Sequence, residues 1–171
     1  MRTIVVLGTL VAALVLQSTL SGISIASGTR VNLVLVVVVY VALAFGALTG
    51  LLAGAGAGLA QDALAGGVIG VGGLSKTVVG FLVGVLGAQF IVSQPFTRFI
   101  MFVGATFVHE LCFQGLLAVV ESRPFGMHYT ATLVQAVVNG VVGIVAFLLT
   151  DKGPEMLQRR QSRPVFGKRR F

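Results

Sequence analysis

Glycines recur at every fourth position within the longest apolar segment of the chain. They are Gly46, Gly50, Gly54 and Gly58. In water each glycine in a helix interior costs about 1 kcal/mol relative to alanine, so this pattern is poorly suited to a soluble helix. In a lipid bilayer the same pattern forms a ridge without side chains, against which another helix can pack closely. The glycine row therefore predicts a tightly packed helix inside a membrane.

The composition supports this interpretation. Of the 171 residues, 56% are apolar and 10% are charged, whereas a soluble domain carries about 25% charged residues. We therefore predict an all-α membrane protein. The single cysteine, Cys112, cannot form a disulfide within the chain and is expected to be a buried small residue.

The length of the apolar segments predicts how often the chain crosses the membrane. The segment over residues 31–63 would form a helix of about 50 Å at 1.5 Å per residue, which exceeds a hydrocarbon core of about 30 Å. We therefore expect a break at Phe45-Gly46. The resulting six spans cover residues 4–20, 31–45, 47–64, 74–92, 99–120 and 129–150. The first is expected to be a retained helix rather than a cleaved signal peptide.

Basic residues are concentrated in the tail, residues 151–171, which holds seven of them against two acidic residues. The positive-inside rule predicts that this tail is cytoplasmic, where it could also contact anionic lipid. Nucleic acid is not an expected partner. Five and six spans give the same charge balance and differ only in the side of the N-terminus, so the charges leave this choice open.

Two charged residues flank the glycine-rich turn after the glycine row. Asp62 and Lys76 lie fourteen residues apart, and an antiparallel pair of helices would bring them to the same membrane depth. They could form an ion pair, or each could cap a helix or reach the headgroups separately. The row itself could pack on Gly80, Gly84 and Gly87 of the next helix or on another protein. Both choices stay open.

A second polar group interrupts the segment over residues 99–120. His109 and Glu110 begin a sequence that resembles the zinc-protease motif, but the second histidine is missing, so no metal site is expected. Glu110 and Gln114 share a helix face and are predicted to have a structural or interface role. The sequence shows no nucleophile beside a base and no phosphate-binding loop. We therefore expect neither enzymatic activity nor a cofactor.

The central region resembles the MreD family, the rod shape-determining membrane proteins of bacteria. The family core has glycines around a G-L-x-x-D-x-L-x-G pattern with a further glycine shortly after it, followed by a polar helix start and a G-[YF]-L step. The positions that match directly are Asp62, Gly66, Gly70, Gly80 and Phe81. This specific motif covers about 40 residues, while the length and the basic tail fit over nearly the whole chain.

The resemblance implies a non-enzymatic scaffold in the bacterial cytoplasmic membrane. Such a scaffold would act with MreC in the cell-elongation machinery, beside the MreB cytoskeleton and the peptidoglycan synthase formed by RodA and a class B transpeptidase. The family is also similar to the substrate-binding S components of energy-coupling-factor transporters, which favours six spans. The alternative function is accordingly the S component of a vitamin transporter. The resemblance assigns no role to His109.

Overall fold

The computed structural model describes residues 2–20, 31–90, 94–122 and 124–161. These residues form six helices and confirm the all-α prediction. The helices are α1 (Arg2–Leu20), α2 (Leu33–Phe45), α3 (Ala47–Ala65), α4 (Val71–Gln89), α5 (Pro95–Glu121) and α6 (Tyr129–Gln161). Part of the predicted tail lies beyond Gln161, outside the described residues.

Helix α2 is the centre of the bundle and contacts each of the other five helices. It consists mainly of valine and leucine, which in water would favour a strand. In lipid every backbone group must be satisfied within the segment, so this sequence forms a helix. Val34 and Val38 are 0% exposed. One face of α2 packs with α1 and α3 in one apolar cluster, and the other packs with α4, α5 and α6 in a second.

The helix break that we predicted from segment length is present. Gly46 has a φ of 92°, in the left-handed region, and separates α2 from α3. Glycine adopts this conformation without the steric cost that a side chain would add. The chain therefore reverses direction after α2, and α2 and α3 form a helical hairpin.

Helix ends differ from the predicted segments at several places. Helix α4 begins at Val71, three residues before the predicted start, because Gly66 and Gly70 form a compact turn with positive φ angles. Helix α5 begins at Pro95, and proline is favoured in the first turn of a helix. Helix α6 continues past residue 150 to Gln161, so the first part of the predicted tail is helical.

Helices α5 and α6 pack through aromatic rings that lie on glycines. The ring of Phe99 lies against Gly140 and the ring of Phe102 lies against Gly143. Near the same seam, the guanidinium carbon of Arg98 lies 4.2 Å from the centroid of the Phe147 ring. The two helices are antiparallel neighbours, since Arg98 lies on Phe147 whereas Thr106, further along α5, bonds to the earlier α6 residue Asn139.

Candidate functional site

Three glycines of the row, Gly50, Gly54 and Gly58, lie within the protein at the contact between α3 and α4. A methyl group built on Gly50 would lie 2.5 Å from the carbonyl oxygen of Gly80, and one on Gly58 would lie 2.5 Å from the Cα of Gly73. At Gly54 the added group would overlap the carbonyl oxygen of Lys76. The two backbones are in direct contact along the row, so a side chain at these positions would force the helices apart.

The other motif residues lie around this contact and have different surroundings. Gly66 ends α3 and Gly70 precedes α4, both with positive φ angles and with open space where a side chain would begin. Gly46 is likewise open at its own Cβ position. Phe81 is 45% exposed on the outer side of α4. The structure therefore brings together only part of the motif: some of its glycines allow turns rather than close packing.

Asp62 caps the beginning of α4 from across the helix pair. One carboxylate oxygen, Oδ2, accepts hydrogen bonds from the backbone N–H of Gly70 at 2.9 Å and of Gly73 at 3.0 Å. The first N–H groups of a helix have no partner within the helix, and a carboxylate there also faces the positive end of the helix dipole. Asp62 therefore joins the end of α3 to the start of α4.

Lys76 lies in the next turn of α4 and is 2% exposed. Among the described residues it forms no salt bridge with Asp62, although its charge interacts electrostatically with both Asp62 and His109. Of the two arrangements that the sequence left open, the structure has the one in which Asp62 acts as a helix cap. The aliphatic part of Lys76 is buried within the bundle.

A hydrogen-bonded chain of polar side chains joins α2, α5 and α6. Asn32 caps α2, since its Oδ1 accepts from the N–H of Leu35 at 3.0 Å. Its backbone N–H donates to Oδ1 of Asn139 at 3.2 Å, and Nδ2 of Asn139 donates to Oγ1 of Thr106 at 3.2 Å. These bonds connect α5 and α6 to the N-terminal end of α2, which we call the Asn32 end.

His109 belongs to the same hydrogen-bond network, through its contact with Asn32. Its Nε2 lies 3.4 Å from Nδ2 of Asn32. Because Oδ1 of Asn32 already accepts from α2, the amide nitrogen is the group that faces the ring, so Nε2 accepts and the ring proton is on Nδ1. His109 is 4% exposed, and its Nδ1 is buried with no hydrogen-bond partner among the described residues. The sequence had left this residue without a role.

Glu110 and Gln114 form a separate polar pair on α5. Nε2 of Gln114 donates to Oε1 of Glu110 at 2.7 Å, and both residues are partly exposed. No cation of the described chain forms a salt bridge with Glu110. The neighbouring His109 is directed into the bundle, whereas Glu110 lies further round the helix. The pair is therefore at the edge of the bundle rather than in its core.

A cavity of about 470 Å³ lies at the Asn32 end, between α1, α2, α3 and α5. Its polar lining is formed by Gln17, Ser18, Asn32 and Gln61, and its apolar lining includes Leu14, Leu64 and Phe113. The ring of Phe113 lies 5.9 Å, centroid to centroid, from that of His109. The cavity and the buried polar chain are therefore adjacent.

Sequence reasoning did not identify Gln17, Asn32, Thr106 or Asn139. Each is a polar residue in or beside an apolar segment, and such residues often form hydrogen bonds only within their own helix. Thr106 does bond to the carbonyl of Phe102 at 2.9 Å, within α5. Asn32 carried the one available indication, because an asparagine directly before an apolar run is a favoured helix cap.

Among the described residues, three helices are long and apolar enough to cross a membrane. They are residues 71–89 of α4, residues 95–120 of α5 and residues 129–149 of α6. Residues 6–19 of α1 and the whole of α2 are shorter apolar helices. Together with the buried polar contacts, these helices define the chain as a membrane helical bundle whose internal polar groups connect its own helices.

The comparisons identify the family. The family model described as rod shape-determining protein MreD matches residues 1–152. The chain therefore belongs to the MreD family, as its central motif predicted, and is a rod shape-determining membrane protein. Searches of curated proteins and of solved structures gave no significant match. The similarity to transporter S components and the transporter alternative accordingly remain predictions.

Proposed function

We propose that this protein is a non-enzymatic scaffold of the bacterial cell-elongation machinery and that it binds MreC in the cytoplasmic membrane. The observation that carries the proposal is the family match, which extends from α1 through the apolar part of α6. The internal polar contacts are consistent with a scaffold, since Asp62 and Asn32 connect the ends of helices. Through MreC the protein would support peptidoglycan synthesis and rod shape.

The wider set of proposed partners follows from the same assignment. RodA with its class B transpeptidase and the MreB cytoskeleton are the further candidates, and anionic lipid is proposed at the basic tail. Seven basic residues in residues 151–171 would each contribute about 1 kcal/mol near an anionic surface. No nucleic acid is proposed as a partner.

Helix α5 provides the surface that we propose for MreC. Only 17% of its apolar span is buried inside the chain, against 50% for α4. Glu110 lies near the middle of this span, where a charged side chain costs about 2.5–3.5 kcal/mol on insertion scales. A partner helix with a hydrogen-bond donor at this depth would compensate the carboxylate better than lipid does. We therefore assign the partner-facing role to Glu110 and Gln114.

The double variant Glu110→Leu, Gln114→Leu tests this assignment. We expect the free energy of unfolding to stay the same or rise, because a partly exposed polar pair is removed from a membrane helix. The affinity for MreC should fall about tenfold or more, because hydrogen bonds to a charged group contribute about 1.5–3 kcal/mol. Co-purification with MreC and unfolding in mixed micelles measure the two effects.

Gln135→Leu on α6 is the matched control, because Gln135 is also partly exposed on a long apolar helix. It should leave MreC binding unchanged. Binding of MreC by the double variant at wild-type affinity would contradict the role of α5. Failure of the wild-type chain to co-purify with MreC, or to restore rod shape to cells that lack their own MreD, would contradict the scaffold proposal itself.

We also propose six membrane crossings, with both termini in the cytoplasm. The hairpin of α2 and α3 supports an even number of crossings, since the chain reverses its direction within the longest apolar segment. A reporter that works only in the cytoplasm should be active when it is fused after Phe171. A cysteine at Thr3, in a Cys112→Ala background, should resist an impermeant maleimide in intact cells. Efficient labelling from outside would instead support five crossings.

A further inference from the structure

The cavity at the Asn32 end has the size and lining of a small-molecule site. Its volume of about 470 Å³ lies within the range of about 300–1,000 Å³ that is usual for such sites. Apolar side chains of Leu14, Leu64 and Phe113 cover part of the wall, and amide side chains cover another part. No charged side chain is among its lining residues, all of which the structure describes. The lining therefore suits a neutral molecule.

Two of the amide side chains in the wall are fixed by the protein itself. Gln17 accepts from the N–H of Leu33 at 2.7 Å and donates to the carbonyl of Val31 at 2.8 Å. Asn32 caps α2 and faces His109. Because both ends of these amides are already bonded, they shape the wall and hold it rigid.

Gln61 differs from them. Its Oε1 is buried and has no hydrogen-bond partner among the described residues. Buried polar atoms in folded proteins are nearly always hydrogen-bonded, so an unpaired acceptor in a cavity wall requires an explanation. A bound molecule that donates a hydrogen bond would satisfy this oxygen.

We propose that this cavity binds a small neutral molecule that carries an N–H or O–H group beside an apolar body. The donor group bonds to Oε1 of Gln61, and the apolar body packs on Leu64 and Phe113. Residues of α1, α3 and α5 and the N-terminal cap of α2 form the wall, so a bound molecule would contact all four helices at this end.

The test uses two probes of nearly equal size, phenylacetamide and methyl phenylacetate, of which only the amide has an N–H donor. Binding to the purified full chain in lipid nanodiscs is followed by saturation-transfer NMR. We expect saturable binding of phenylacetamide and about tenfold weaker binding of the ester, as expected for one hydrogen bond. The Gln61→Leu variant should bind phenylacetamide about tenfold more weakly than the wild type does. Its affinity for methyl phenylacetate should be unchanged.

Two phenylalanine variants of α3 separate the cavity from the surrounding bilayer. Ala65 lines the cavity, so Ala65→Phe should remove saturable binding of both probes. Ala63 is exposed and does not line it, so Ala63→Phe should bind both as the wild type does. Equal affinity of the wild type for the two probes, absence of saturable binding, or wild-type binding by Ala65→Phe would each overturn the proposal.

Discussion

Replacement of Asp62 with leucine is expected to destabilise the bundle by about 3–5 kcal/mol. The change leaves the N–H groups of Gly70 and Gly73 without their acceptor inside the protein. It also removes the negative charge that interacts with the buried Lys76. Asp62→Asn should lose about half as much, because the asparagine oxygen can still accept at the same place, without the added strength of a charged acceptor. Unfolding in mixed micelles measures both variants.

The variant Lys76→Met distinguishes the cap from an ion pair. If the cap accounts for the effect, Asp62→Leu remains strongly destabilising when Lys76 is already methionine, since the two N–H groups are still unpaired. If an ion pair accounted for it, the second substitution would add almost nothing. A double-mutant cycle gives the coupling energy between the two positions. Nearly complete coupling would contradict the cap.

The second large effect is expected at Gly54. An added methyl group there would lie 2.6 Å from the carbonyl carbon of Lys76 and 2.9 Å from the nitrogen of Thr77, on the backbone of α4. Backbone atoms cannot turn aside as a flexible side chain can, so α3 and α4 must separate. We expect Gly54→Ala to lower the free energy of unfolding by about 1–3 kcal/mol, and Gly54→Leu to lower it more.

Gly56 is the matched control on the same helix. No atom lies within 4 Å of its Cβ position, so Gly56→Ala should cause no loss and could gain up to about 1 kcal/mol in helix propensity. The pair of alanine variants therefore separates close packing from the general effect of glycine in a helix. Equal stability of Gly54→Ala and Gly56→Ala would show that the contact with α4 is not needed for stability.

The sequence predicted the architecture where a simple length or spacing argument applied. The helix break follows from the excess length of residues 31–63, and the close contact of α3 follows from the spacing of Gly50, Gly54 and Gly58. The structure adds that even one methyl group on any of these three glycines would overlap backbone atoms of α4.

The polar contacts were harder to predict, for a physical reason. The partners of Asp62 are backbone N–H groups, which every residue except proline carries, so no residue type indicates them. Asn32 and Asn139 are 107 residues apart, and their contact depends on how three helices meet. The surroundings of Lys76 could not be predicted for the same reason, because they depend on how the helices pack.

The hairpin of α2 and α3 has a consequence for how the chain enters the membrane during synthesis. Helix α2 is almost entirely large and apolar, and is thus the kind of segment that the translocon inserts readily. Helix α3 carries four helical glycines and Asp62, and does not reach the apolarity of the three spanning candidates. Because only Gly46 separates the two helices, insertion of α2 would carry α3 into the bilayer with it. The most apolar helix would thus assist its less apolar neighbour before becoming enclosed by the finished bundle.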